Sequence, residues 1–310
     1  MALSSEQRHI RLGTRSSPLA RWQAEWVAAR LTALGVTVEL IHITTQGDVK
    51  SGPLGQIGGQ GLFTKEIQRA LLDGEIDLAV HSLKDLPTAD VPGLVIAAVP
   101  TRESVNDVLV GPYHMLDELP QGARVGTGSL RRRAQLLHER PDLQLLEIRG
   151  NVDTRLKKLD AGEYDAIVLA QAGLSRLGLA ERISYVIPPQ IMLPAVGQGA
   201  LGLETRADDA NTQLWLQPLN DPATFQAITA ERTLLQTLRA GCLAPVGAWA
   251  RLENGMLNMQ AVVLHPDGTE RLAAAGVSAP QEAALLGAKV AEQLLQQGAA
   301  ALIAAAHNGK

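Results

Sequence analysis

The chain has 310 residues, 46% of them hydrophobic, and a formal net charge of −4 from 28 Lys plus Arg against 32 Asp plus Glu. This suits two or three globular domains with a sizeable core and leaves no broad basic surface for nucleic acid. Cys242 is the only cysteine, which excludes an internal disulfide and any paired-cysteine metal or redox motif.

Residues 9 to 14 alternate as a short strand, and Ser16 or Ser17 with Pro18 signals a helix start. That helix runs to Gly35, and VTVELIHITT follows as a strand. Residues 47 to 61, GDVKSGPLGQIGGQG, are too glycine-rich for regular structure and form a candidate mobile loop. A helix over 62–73, the strand IDLAVHS and the strand LVIAAV complete a first unit. A second begins near Asp107: DVLVG, ARVGTG, LQLLEIRG and YDAIVLA as strands, with helices over SLRRRAQLLHERP and NVDTRLKKLDAGE. Its RVGTGSLRRRAQ echoes RLGTRSSPLARWQ of the first, which suggests two like-built lobes facing each other across a cleft. LPAVGQGALGLET crosses back, with its strand in the first lobe. From Pro222 a long helix leads to Cys242, three strands (VGAWARL, MLNMQAVVL, ERLAAAGVS) follow, and an Ala/Leu-rich helix from about Pro280 ends the chain. The expected fold is α/β, with two doubly wound, periplasmic-binding-protein-like lobes and a smaller α+β domain bearing a three-stranded antiparallel sheet. The expected boundaries are 1–100 with 198–218, 101–197, and 219–310.

Arginines carry the strongest chemical signal. Arg15, Arg131, Arg132, Arg149, Arg155 and Arg176 all fall just after strands or in first helical turns. Functional groups gather at the carboxyl ends of such strands, and cations at a helix N-terminus oppose its dipole unless an anion lies there. Each taken singly fits a solvated surface charge; six in such positions imply a polyanionic ligand, and guanidinium forks suit carboxylate or phosphate. HSLKDLP places Ser82, Lys84 and Asp85 after a buried strand. GGQGLFTKE lacks the phosphate-loop spacing, no GxSxG elbow is present, and the seven histidines show no clustered ligand spacing, so neither nucleotide nor metal is expected. Cys242, a small buried hydrophobe if taken alone, lies on a loop beside Ala240 and Gly241.

With HSLKDLP, GTGSLRRRAQL, IRGNVDTRLKKLD, DAIVLAQAGLSRLG, LPAVGQGALGLE and AERTLLQTLRAGCLAPVG in this order, the chain resembles the porphobilinogen deaminase (hydroxymethylbilane synthase) family from about Ile10 to Val246. The resemblance implies a transferase of porphyrin biosynthesis. It joins four porphobilinogen molecules head to tail, releases ammonia at each step and hydrolyses off the linear tetrapyrrole hydroxymethylbilane. It implies a dipyrromethane cofactor held through a thioether to Cys242, and Asp85 as the catalytic carboxylate. Cofactor contacts are implied at Ser82, Lys84, Thr127, Ser129, Arg131, Arg132, Gly150 and Arg155, and substrate contacts at Arg15, Ser17, Phe63, Arg149, Arg176 and Gln198. Phe63 packs on a pyrrole face or, equally, within its own helix. Departures from the family pattern are Gln56 and Gln60, often lysine; Asn106, arginine in some relatives; and Arg239-Ala240 in place of Glu-Gly. The N-terminus lacks an apolar signal core and no apolar stretch approaches the ~20 residues that span a bilayer. A cytoplasmic monomer with a small-molecule substrate, and no nucleic-acid or membrane partner, is expected. The rival reading is a non-catalytic two-lobed binding protein for a polycarboxylate.

Overall fold

The computed structural model describes residues 9–44, 64–241 and 244–308, without the side chains of 307 and 308. The glycine-rich loop with Gln56 and Gln60, Phe63, and Cys242 lie outside the described residues.

The first sheet contains β1 (His9–Thr14), β2 (Thr37–His42), β3 (Leu78–Ser82) and β4 (Leu94–Ala98). It is completed by β10 (Leu201–Arg206), in the order β2-β1-β3-β10-β4. The second contains β5 (Asp107–Val110), β6 (Arg124–Gly126), β7 (Gln144–Leu146), β8 (Ala166–Ala170) and β9 (Tyr185–Ile187), in the order β7-β6-β8-β5-β9. Both have one plan: three parallel strands, then a reversed strand, β10 or β5, antiparallel to the neighbours on both sides. Each reversed strand enters just after the chain has left the other sheet. The expected return of the 193–205 run to the first lobe is thus found in β10.

Helix α1 (Pro18–Ala33) starts as its sequence indicates, with Pro18 in the first turn and Ser17 as cap, its side chain accepting from Ala20 N at 3.4 Å. Then come α2 (Lys65–Leu72), α3 (Leu130–Glu139), α4 (Val152–Asp160), α5 (Gln171–Arg176) and α6 (Ala210–Leu216). The strand expected over 143–150 is confined to β7: after Leu146 accepts from Thr127 N, Ile148 turns inward as core and the backbone leaves the ladder. Strand β9, bounded by Ser184 and Pro188, is too short for its period to declare it.

Helix α7 (Pro222–Thr237) precedes an antiparallel sheet of β11 (Val246–Glu253), β12 (Met256–Leu264) and β13 (Arg271–Ser278). The final helical run is two helices, α8 (Ala283–Gln296) and α9 (Ala299–Asn308), because Gly298 between them takes φ +105°. Strand β12 alternates: Leu257, Met259, Ala261 and Val263 pack with Leu234, Leu286, Val290 and Leu302 of the helices. From its other face, Val262 and Leu264 meet Ala134 of α3 and Leu193. The chain divides into two compact units, Met1–Arg102 with Ala200–Phe225, and Glu103–Gly199 with Gln226–Lys310. The second and third sheets therefore share a unit.

Helices α7 and α8 touch backbone to backbone at Gly287, where a Cβ would overlap Ala230 O and stand 3.1 Å from Leu234 N. Alanine is the better helix former by ~1 kcal/mol, yet Gly287→Ala is expected to destabilise the protein by about 1–3 kcal/mol from overpacking. Urea unfolding of the two proteins measures the difference.

Candidate active site

Strands β6, β7 and β8 run the same way, and their carboxyl ends carry Thr127, Ser129, Arg131 and Arg132; then Arg149, Gly150 and Arg155; then Arg176. Because β5 is reversed, its first residue, Asp107, lies at this same end, opposite Ala170. Asp107 is fully buried, as are Arg131 and Arg132 to within a few per cent. Its Oδ2 accepts Arg131 Nη1 at 2.7 Å, and its Oδ1 accepts Arg132 Nε at 2.9 Å and Gln198 Nε2 at 3.1 Å. Arg131 Nη1 also reaches Leu193 O at 2.7 Å, and Arg132 Nη1 reaches Val168 O at 2.9 Å. Desolvation pulls the Asp107 pKa up, but the two guanidiniums outweigh it and leave it at about 2. Burial, helped by Arg132, lowers the Arg131 pKa despite Asp107.

The anion that the sequence required at the start of α3 is thus supplied in part by the chain itself. Two guanidiniums against one carboxylate leave one net positive charge in a buried cluster. Arg131 Nε is moreover buried with no hydrogen-bond partner among the described residues. A buried cation and an orphaned donor are each costly without an acceptor, so this donor set fits a further carboxylate. Gln198, expected to touch substrate, is 1% exposed. Its amide nitrogen is given to Val105 O (2.6 Å) and Asp107, so it braces the arginine pair from behind.

Arg149, Arg155 and Arg176 are more accessible, while Thr127 is buried. Arg149 donates through Nε and Nη2 to Glu147 Oε1, the former at 2.8 Å. Arg155 Nε donates to Gly150 O at 2.8 Å; Gly150 takes φ +106°, and a Cβ there would press on Thr154. Arg176 Nη2 donates to Gly199 O at 2.7 Å; burial pushes its pKa down to about 10, with Glu103 opposing. Thr127 Oγ1 accepts Ser129 N at 3.2 Å, and the Ser129 side chain caps α3. Asn106 O accepts Gln171 N at the start of α5. Arg239, just past α7, takes φ +50°, a turn conformation that glycine adopts more readily.

In the first lobe, Arg15 and Ser17 follow β1, and Ser82, Lys84 and Asp85 follow β3, again at carboxyl ends. Leu83 is buried over Gly202, where a side chain would collide with it. With Leu83 turned in, the 3-10 turn Leu83–Asp85 leaves Asp85 exposed and Lys84 half-buried. Ser82 Oγ accepts Gln23 Nε2 at 2.8 Å. Beneath them lies a buried pair that the sequence reading missed: His81 Nε2 and Glu204 Oε2 at 2.9 Å, with Gln68 Nε2 on Glu204 Oε1 at 2.9 Å. An acidic residue directly after the apolar start of a strand, Leu201 to Leu203, was its signal. Asp107, which opens a strand of four buried residues, was also missed, although it is the natural partner for two arginines that open a helix.

Residues 10–214 match the family model described as porphobilinogen deaminase, dipyromethane cofactor binding domain, and residues 225–296 match porphobilinogen deaminase, C-terminal domain. The chain belongs to the porphobilinogen deaminase family. It is a transferase of porphyrin biosynthesis that uses a dipyrromethane cofactor and joins porphobilinogen units into hydroxymethylbilane, which sets aside the reading as a non-catalytic binding protein. Among solved structures, it is similar to the methionine binding protein MetQ, at 17% identity and a TM-score of 0.45 over 68% of this chain and 89% of that one. It is also similar to the periplasmic VFT2 domain of Bordetella pertussis BvgS (16%, 0.40, 69% and 91%). A third is the periplasmic aliphatic sulphonate binding protein SsuA of Escherichia coli (15%, 0.38, 75% and 71%). Among the described residues no helix is long and apolar enough to cross a membrane, and no cluster of three metal-ligating side chains occurs.

Removing the central carboxylate leaves two buried cations facing each other. Asp107→Asn is expected to destabilise the protein by about 3–5 kcal/mol at neutral pH. Since the folded pKa of Asp107 lies below the ordinary aspartate value of 3.8, at about 2, its stabilisation is complete above that ordinary value and is lost as pH falls through the folded one. The gap between parent and variant in urea unfolding is therefore expected to narrow on acidification below pH ~4.

Proposed function

We propose that this chain carries out the family reaction with the dipyrromethane tethered to Cys242, Asp85 as the catalytic carboxylate, and the strand-end arginines as receptors for pyrrole acetate and propionate groups. The observation that carries this reading is the surplus positive charge buried at Asp107, Arg131 and Arg132. When bound, the dipyrromethane supplies the nucleophilic pyrrole α-carbon to which substrate units are added.

Arg131 and Arg132 hold cofactor carboxylates, with Thr127, Ser129, Gly150 and Arg155 as neighbouring donors on the same strand ends, and Ser82 and Lys84 as donors from the first lobe. Arg149 and Arg176, with Arg15 and Ser17, bind the carboxylates of incoming porphobilinogen. Phe63 offers a ring to a pyrrole face. Gln198, proposed from sequence as a substrate contact, serves through Asp107. An exposed carboxylate on a strand-end turn can accept a pyrrole N–H of substrate. Asp85 in this role stabilises the positive charge that develops as ammonia leaves and moves a proton for that step. A thiolate at Cys242 is a competent nucleophile for forming the tether.

Three functional domains are proposed, 1–100 with 198–218, 101–197, and 219–310, the last tethering the cofactor. The chain is proposed to work as a cytoplasmic monomer with no nucleic-acid or membrane partner.

Intact mass and turnover, compared for the parent, Cys242→Ser and Asp85→Asn, test these assignments together. The parent as purified is expected to carry the mass of two substrate-derived pyrrole units through denaturation, and Cys242→Ser to lack it. Asp85→Asn is expected to keep that mass and lose turnover by about 100-fold or more. A primer that persists in Cys242→Ser contradicts the tether, and near-parental turnover of Asp85→Asn contradicts the role given to that carboxylate.

A further inference from the structure

Helix α7 packs an apolar face on the antiparallel sheet, yet Glu231 in that helix has no exposed surface. A buried carboxylate is tolerated where its oxygens are occupied by donors. Here Oε2 accepts the backbone N–H of Gly197 at 2.8 Å, and Oε1 accepts that of Ala250 at 2.9 Å. Ala250 belongs to β11; Gly197 belongs to the segment that closes the second lobe. This segment is tightly seated. Gly197 and Gly199 take φ +73° and +84°, and a Cβ at Gly199 would stand 2.7 Å from Ser104 O. Between the two glycines, Gln198 donates to Asp107 Oδ1, which holds Arg131 and Arg132. A continuous path of hydrogen bonds and covalent backbone thus leads from the helix that precedes Cys242 to the buried arginine pair.

We infer that Glu231 is a positioning residue. It ties the helix leading to Cys242 to the Arg131–Arg132 pair, so that thioether anchor and carboxylate receptors stay in register. The inference rests on the assignment of Cys242 and that pair to the cofactor. Two amides aimed at two oxygens require a carboxylate of this reach: glutamine offers one acceptor and turns an NH2 towards the second amide.

The test compares parent, Glu231→Gln, Gln198→Ala and the double variant as full chains, by backbone hydrogen exchange and by the rate at which primer-free protein gains the primer mass on incubation with porphobilinogen. Glu231→Gln is expected to exchange about tenfold faster in peptides covering 195–199 and also in those covering 127–132, and to load primer about tenfold more slowly. Gln198→Ala is expected to reproduce the change at 127–132 and the slow loading, and the double variant to be no worse than either single one. Faster exchange confined to 195–199 and 246–250 with parental loading overturns the inference, because Glu231 is then a local staple. Multiplicative effects in the double variant overturn it too. If Glu231→Gln does not fold, Gln198→Ala alone decides: parental loading refutes the path. A parent that gains no primer mass refutes the anchor itself, an outcome distinct from all of these.

Discussion

One carboxylate between two buried guanidiniums organises the second lobe. For Asp107 to meet Arg131 and Arg132, β5 must run against β6 and β8, because only then does its first residue lie at the end of the sheet where α3 begins. Arg132 spans from Asp107 to the carbonyl of Val168 in β8, and Arg131 spans to Leu193, which packs beside Val262 and Leu264 of β12. The cluster therefore joins two strands, one helix and the Leu193 segment through charge-assisted bonds, and Leu193 in turn packs on the neighbouring sheet. Such bonds hold geometry more strictly than apolar contact does. It also retains one positive charge more than it neutralises, so the interaction that fixes the structure also leaves a demand for an anion.

The reversed strand recurs in the first sheet, where β10 lies between β3 and β4. Since β5 follows β4 and β10 follows β9, each sheet is completed by a strand that arrives from the other lobe. The carboxyl ends of the parallel strands then carry the groups proposed to bind ligand in both: Arg15, Ser17, Ser82, Lys84 and Asp85 in one, the arginine pair with Arg149, Arg155 and Arg176 in the other. Ligands bind at such ends in open α/β sheets because side chains there escape the ladder and helix N-termini converge on them. Leu83 shows the local device. Its burial over Gly202 turns the chain so that the next two residues face outward.

Most of this was legible in the sequence where period and punctuation were strong. Ser17-Pro18 placed the start of α1, Gly-Thr followed by serine marked β6 and α3, and the run 193–205 was expected to cross back with its strand in the first lobe, as β10 does. Legibility failed where tertiary contacts decide. The run 143–150 keeps strand-like composition, but Ile148 leaves the ladder to fill the core. Gln198 entered only through the resemblance, and its burial and its bond to Asp107 come from packing that the sequence does not display. Asp107 opens an apolar strand and Glu231 lies among mixed residues of a long helix, where a single acid carries no periodic signal; their meaning comes from partners 24 and 34 residues away in sequence.

Family membership fixes the reaction, and the buried charge imbalance supports the proposal that an acidic ligand is held at Arg131 and Arg132. The most direct measurement is a crystal structure of the protein as purified, with its cofactor attached. It is predicted to show a cofactor carboxylate in hydrogen-bond contact with Arg131 or Arg132 while Asp107 keeps its place between them. A cofactor whose carboxylates all lie on other residues, with the two guanidiniums still satisfied by Asp107 and backbone carbonyls alone, would contradict it.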